Sequence, residues 1–101
     1  IMEAYIYQAD IHCADCNDKV VDCLEKRGIK KTEHDSDAWP QGPYSDGGGE
    51  ADYPQHCCQC HVFMENSLTS DGVDYVKHWI KQTPQSEVTK EWQDYYDYID
   101  Y

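Results

Sequence analysis

The sequence predicts a single small α+β domain, residues 1–101, with a short sheet and about three helices. Three observations carry that reading. The chain opens on residues alternating at period two, it later shows apolar stripes at helical spacing, and it holds two Cys-x-x-Cys pairs. A chain of 101 residues is the size of one small domain, and a domain that small gains much from a structural metal or a partner.

The elements follow in order. In EAYIYQADI, Tyr5, Tyr7, Ala9 and Ile11 fall on one side and Ala4, Ile6 and Gln8 on the other, which predicts one strand. It leads into Cys13-Ala14-Asp15-Cys16 and a helix from about Asp18 to Arg27. Val20, Val21 and Leu24 form its stripe with Cys23 alongside as a small core residue, and Gly28 is placed to end it. Residues 30–56 are a long Gly/Pro-rich loop with Pro40, Gly42-Pro43, Gly47-Gly48-Gly49 and Pro54, in which Trp39, Tyr44 and Tyr53 predict that parts pack down. Asp35-Ser36-Asp37 resembles the start of a calcium loop, but the later glycine and glutamate are out of register for one. Val62-Phe63-Met64 predicts a short strand, and Ser70 predicts the cap of a helix reaching about Gln82. Thr83-Pro84 closes that helix and opens the last, an acidic, aromatic C-terminal helix over residues 84–101 with Val88, Trp92, Tyr95 or Tyr96, and Ile99 on its apolar side.

The cysteines carry the chemistry. In HCCQCH, residues 56–61, and in Cys13/Cys16, two residues between cysteines let a tight turn aim both sulfurs at one point. Two such knuckles complete a tetrahedral thiolate set, the preference of one structural Zn²⁺, with Cys13, Cys16, Cys57 and Cys60 as ligands and a zinc-ribbon-like build. The spacer between the knuckles is long, and the Gly/Pro-rich loop accounts for the excess. His12, His56 and His61 flank the knuckles and offer a nitrogen in place of a sulfur, or orient the thiolates. A disulfide framework fits poorly beside adjacent Cys57-Cys58, while a redox role stays open for Cys13/Cys16 between a strand and a helix. The zinc-deaminase pattern fails, because the His-x-Glu element is missing.

The chain resembles a set of small bacteriophage and proteobacterial proteins with two Cys-x-x-Cys zinc knuckles. The likeness runs through MEAYIYQADIHCADC, GPYSDGGGEADYPQHCCQC, FMENSLTSDGVDYV and EWQDYYDYI. It implies the same four ligands, a phage or prophage setting, and no established activity. In that set the position of Cys58 is often glycine, so Cys58 and Cys23 are particular to this chain.

Charge bounds the partners. Eight Lys and Arg against 20 Asp and Glu give −12, which argues against direct nucleic-acid binding and against an anionic membrane. A basic protein partner fits, with carboxylates standing in for phosphates. The expected contact residues are Glu91, Asp94, Tyr96, Asp97, Tyr98 and Tyr101 of the last helix, although helical spacing equally predicts that its aromatics pack inward. The expected role is a zinc-stabilised binding module that inhibits or modulates a basic, nucleic-acid-associated host protein. The alternatives are a structural phage component, or an enzyme using the 42–52 loop with Asp46, Glu50 and Asp52, for which no catalytic constellation or phosphate-loop lysine is present. With no apolar run long enough to span a bilayer and no positively charged segment leading into an apolar stretch, a cytoplasmic setting in a bacterial host is expected.

Overall fold

The computed structural model describes residues 2–32, 34–82 and 84–101. Ile1, and Thr83 at the expected helix boundary, lie outside the described residues.

The N-terminal alternation forms a hairpin rather than one strand. β1 (Ala4–Tyr7) pairs antiparallel with β2 (Asp10–Cys13), Ala4 opposite Cys13 and Tyr7 opposite Asp10. Gln8 and Ala9 make the two-residue turn with φ of 51° and 63°. Both central residues of a type I′ turn need positive φ, which side chains other than Gly and Asn resist. Tertiary bonds hold them there: the Gln8 amide donates to Ser36 O at 2.8 Å and its side chain to Asp37 O at 3.4 Å. No Gly, Asn or Asp marks the turn, so alternation alone read straight through it.

α1 (Ala14–Lys26) starts directly at the first knuckle, earlier than its apolar stripe predicts. It ends as expected. Gly28 takes φ of 75°, Gly28 N–H donates to Glu25 O at 2.9 Å and Ile29 N–H to Leu24 O at 3.0 Å, the paired bonds of a Schellman stop.

The 30–56 stretch is not all loop. β3 (Gln41–Tyr44) pairs antiparallel with β1 and completes a sheet of order β2-β1-β3. Its Gly42-Pro43 composition argues against a strand, but an edge strand tolerates proline. Gly42 is required there: at φ of 140°, a Cβ would stand 2.8 Å from Ala4 O and 2.9 Å from the Tyr5 ring. Trp39 is buried, whereas Tyr44 and Tyr53 are exposed.

From there to residue 69 the chain is held by isolated bridges, Ala51 with Leu68 and His56 with Phe63. The strand expected at Val62–Met64 is reduced to that second bridge. α2 (Ser70–Ile80) is capped by Thr69, one residue before the expected Ser70, whose Oγ1 accepts the Gly72 N–H at 3.1 Å. α3 covers only Glu87–Tyr95, shorter than the expected 84–101, and Ser86 caps it by accepting Thr89 N–H at 3.1 Å. Beyond it the chain turns, and Ile99 folds back into the core.

Two cores result. One holds Ala4, Cys13, Cys16, Cys57 and Met64 with Ile11 against it; the other holds Phe63, Val76, Trp92, Tyr96 and Ile99. Phe63 and Met64 are neighbours in extended chain and enter different cores. Set in a row, the cores make an elongated molecule of 49 × 23 × 19 Å. Its radius of gyration is 15.5 Å, against about 13 Å for a compact domain of this length.

Candidate metal centre

Each knuckle is built by its neighbours. Cys13 ends β2 and is also the N-cap of α1, so Cys16 falls in the first helical turn. The second knuckle is a turn closed by two backbone bonds, His61 N–H to Cys57 O and Cys57 N–H to Val62 O, both 2.9 Å. His61 takes φ of 65° to make that reversal. Cys58 N–H donates to Ile11 O at 2.9 Å and ties this turn to β2. The result brings the sulfurs of Cys13, Cys16, Cys57 and Cys60 within 4.8 Å of one another, with Cys13 and Cys60 at 3.6 Å. A tetrahedral ion with metal–sulfur bonds of ~2.3 Å requires sulfurs roughly 3.8 Å apart. The four cysteines can therefore hold one metal ion. Cys13, Cys16 and Cys57 are buried and Cys60 opens to solvent.

The electrostatics of the four are unequal. Burial pushes the Cys57 thiol up, but the backbone amides of Cys13, Cys60 and Gln59 donate to its sulfur and prevail, holding it down at about 6. Burial drives Cys16 up to about 12, helped by hydrogen bonds with the other three sulfurs, and burial likewise raises Cys13. One sulfur is thus prepared as a thiolate by backbone dipoles, while its buried partners need a cation to ionise beside it.

None of the histidines joins the set. His12 is buried with Nε2 at 3.2 Å from Cys58 Sγ. His56 donates from Nδ1 to His61 O at 2.9 Å and accepts Trp92 Nε1–H on Nε2 at 3.0 Å, so it is a neutral ring fixed at both nitrogens. It lies against Phe63 and Trp92, with ring centroids at 5.5 and 5.9 Å, and so joins the knuckle to the helical core. Cys58 is half-buried outside the cluster. Cys23 is exposed rather than a core residue, because it opens on a cleft beside α1, while Cys16, Asn17 and Leu24 are the residues α1 buries.

The glycine-rich loop packs against the centre. A Cβ at Gly47 would stand 2.2 Å from Met64 O, and one at Gly48 would stand 2.6 Å from Ile11 Cδ1. Asp52 accepts a bond from the Thr69 hydroxyl at the start of α2. Gly47 and Gly48 are therefore accounted for by close approach to the protein's own backbone and side chains, and Gly49 by its φ of 93°.

Of the expected contact residues, Glu91, Asp94, Asp97, Tyr98 and Tyr101 are exposed. Tyr96 is not. It is 1% exposed and its hydroxyl donates to Asn66 O, because the end of α3 turns this ring into the second core. Sequence reasoning also missed a recess of about 470 Å³ walled by Phe63 and Tyr95 and rimmed by Glu65, Glu87, Glu91 and Asp94, with Lys90 among them 3.3 Å from Glu87. The Glu87, Glu91, Asp94 spacing along one helix face was its only legible signal. It missed Asn66 too, fully buried, whose side chain accepts Gln55 N–H at 2.7 Å and donates to Tyr53 O and Ser67 O.

Among the described residues no helix is long and apolar enough to cross a membrane. Comparison with protein-family models, with curated proteins and with solved structures returns no match to this chain.

Proposed function

We propose that this chain is a phage-type binding module, stabilised by one structural Zn²⁺, that occupies a basic surface on a host protein associated with nucleic acid. Four thiolates at tetrahedral spacing suit zinc, and a set of four protein ligands leaves no position for a reactive water. The ion's task is then to hold the sheet and the second knuckle together.

The observation that carries the partner is the recess on α3. Carboxylates of Glu91 and Asp94 stand beside a wall of Phe63 and Tyr95, while Glu87 is paired with Lys90 of the same recess at 3.3 Å. A lysine or arginine side chain fits that chemistry, its stem against the rings and its charge among the carboxylates. Exposed Asp97, Tyr98 and Tyr101 extend the same end of the molecule. The excess of acids over bases adds steering toward a basic partner.

The test is affinity capture from lysate of a bacterial host with the zinc-loaded protein as bait, followed by binding of the captured protein to the purified domain. A stoichiometric, salt-sensitive complex weakened about ten-fold or more by Glu91→Lys with Asp94→Lys is expected. A complex indifferent to that double change, or to salt, would refute the assignment of this face.

A further inference from the structure

The chain's cations are not scattered. Five of its eight Lys and Arg, at 19, 26, 27, 30 and 31, fall in residues 19–31, against Asp22 and Glu25 there. That stretch is net positive in a chain of −12. Asp22 is also occupied, bonded to Lys26 at 2.9 Å.

Lys19 and Arg27 front a cleft of about 520 Å³ between α1 and the second knuckle. Tyr7, Val20 and Leu24 line it, and the thiol of Cys23 opens on it. Among the described residues neither cation is in an ion pair. Eight helical positions set them about 12 Å apart along the axis. Past Lys19 the cleft runs into a second one of about 560 Å³, lined by Met2, Ala14 and Val62, which shares Cys16, Lys19 and Cys60 with the first. The depression is therefore a groove along α1, and its length suits a linear occupant.

We propose that this groove binds a short acidic peptide segment, two carboxylates reaching Lys19 and Arg27 with an apolar side chain seated between them. In an extended segment carboxylates four residues apart span roughly 13 Å, matching the two cations. The apolar floor rewards a side chain that a phosphate backbone lacks. The negative excess of the rest of the chain repels a long polyanion more than a short segment. This surface is independent of the acidic recess, opposite in charge and built on the other core.

The probe is a fluorescein-labelled peptide, Ser-Glu-Ser-Leu-Ser-Glu-Ser, whose glutamates and central leucine share one face when extended, titrated with the zinc-loaded full chain at low salt. We expect it to bind about ten-fold tighter than its glutamine counterpart, and Lys19→Glu and Arg27→Glu each to weaken it about three-fold or more. Lys81→Glu, an equal charge change on the other half, is expected to leave affinity unchanged. Amide shifts on titration should centre on Tyr7, Val20 and Leu24. Equal affinity for the glutamine peptide, or indifference to both α1 changes, overturns the proposal. Displacement by oligothymidylate at lower concentration than by unlabelled peptide overturns it in favour of a nucleic acid. Salt-sensitive self-association lost in Lys19→Glu overturns it in favour of a second copy of the chain.

Discussion

In the N-terminal core three of five buried residues are cysteines, whereas the C-terminal core is filled by Phe63, Val76, Trp92, Tyr96 and Ile99. The second is an ordinary apolar core: large rings meet at tilted and edge-on angles, with Phe63 at 5.4 Å from Tyr95 and 5.7 Å from Tyr96. The first has little to bury. Ala4 and Met64 are its only other fully enclosed members, and a two-residue turn, a short sheet and one helix depend on it. Burial of small thiols contributes far less than burial of rings, so an ion held by the four cysteines would add more to the N-terminal half than to the C-terminal half.

Removing the ion is the largest way to break this contrast. Structural zinc contributes on the order of 10 kcal/mol of apparent binding energy to small sites, and that binding is folding energy. With a strong chelator, or in Cys57→Ser, amide hydrogen-exchange protection across β1, β2 and α1 should collapse while α2 and α3 retain part of theirs. Loss of protection in both halves at one rate would mean a single cooperative unit and would end the comparison.

The pH dependence sharpens the same point. At neutral pH burial keeps Cys13 and Cys16 protonated, while Cys57, held at about 6 after amide donation outweighs its burial, is already a thiolate. Metal uptake must therefore displace at least two protons. Each displaced proton makes the apparent affinity rise about ten-fold per pH unit, so two give roughly 100-fold per unit between pH 6 and 8. The sign follows: falling pH releases the ion, and below the Cys57 value the dependence steepens by a further proton. Competition with a chromophoric chelator across that range reads the slope, and a slope below two would contradict the burial of these thiols.

A cavity in the other core tests the opposite limb. Phe63→Ala removes a ring that contacts His56, Tyr95 and Tyr96, and a buried Phe→Ala change costs about 3–5 kcal/mol. The melting temperature should fall steeply while metal affinity at 25 °C stays within a few-fold. Equal damage to both would show that the knuckle relies on the helical core through His56.

Legibility differed between the halves for physical reasons. The four ligands could be read because ligation needs fixed residue types at fixed spacing, and helices α1 to α3 because each turns a periodic face inward. What escaped was set by contacts distant in sequence. The Gln8-Ala9 turn is held by residues 36 and 37, β3 is a strand only because β1 offers it an edge, and Asn66 is buried because three backbone groups need it. Tyr96 shows the limit within a helix pattern. Tyr95 and Tyr96 are equally apolar neighbours, and only the end of α3 decides which one turns inward.

Tyr96→Phe is a smaller perturbation of that second core. The ring stays, and Asn66 O loses the hydroxyl it accepts. An unsatisfied buried carbonyl costs about 1–2 kcal/mol. A melting-temperature drop of several degrees, with metal affinity unchanged, is the expected result.

The smallest expected effect separates the four-cysteine set from its nearest competitor. A knuckle slipped by one residue would present Cys58 in place of Cys57, and sequence alone permits it. Three observations oppose the slip. Cys57 is fully buried with three amides donating to its sulfur, Cys58 Sγ faces His12 Nε2 at 3.2 Å, and the Cys58 amide is bonded to Ile11 O. Burial first, then the charges of Asp10 and Cys57, raise the Cys58 thiol, as burial also raises Cys13 and Cys16, so geometry decides between Cys57 and Cys58. Cys58→Ser retains a hydroxyl to meet His12, so stability should change by less than about 1 kcal/mol. Metal affinity in the chelator competition should stay within roughly two-fold, whereas Cys57→Ser should lose it by orders of magnitude. If Cys58→Ser released the ion and Cys57→Ser did not, the ligand set would shift by one residue, and the backbone dipoles gathered around Cys57 would need another explanation.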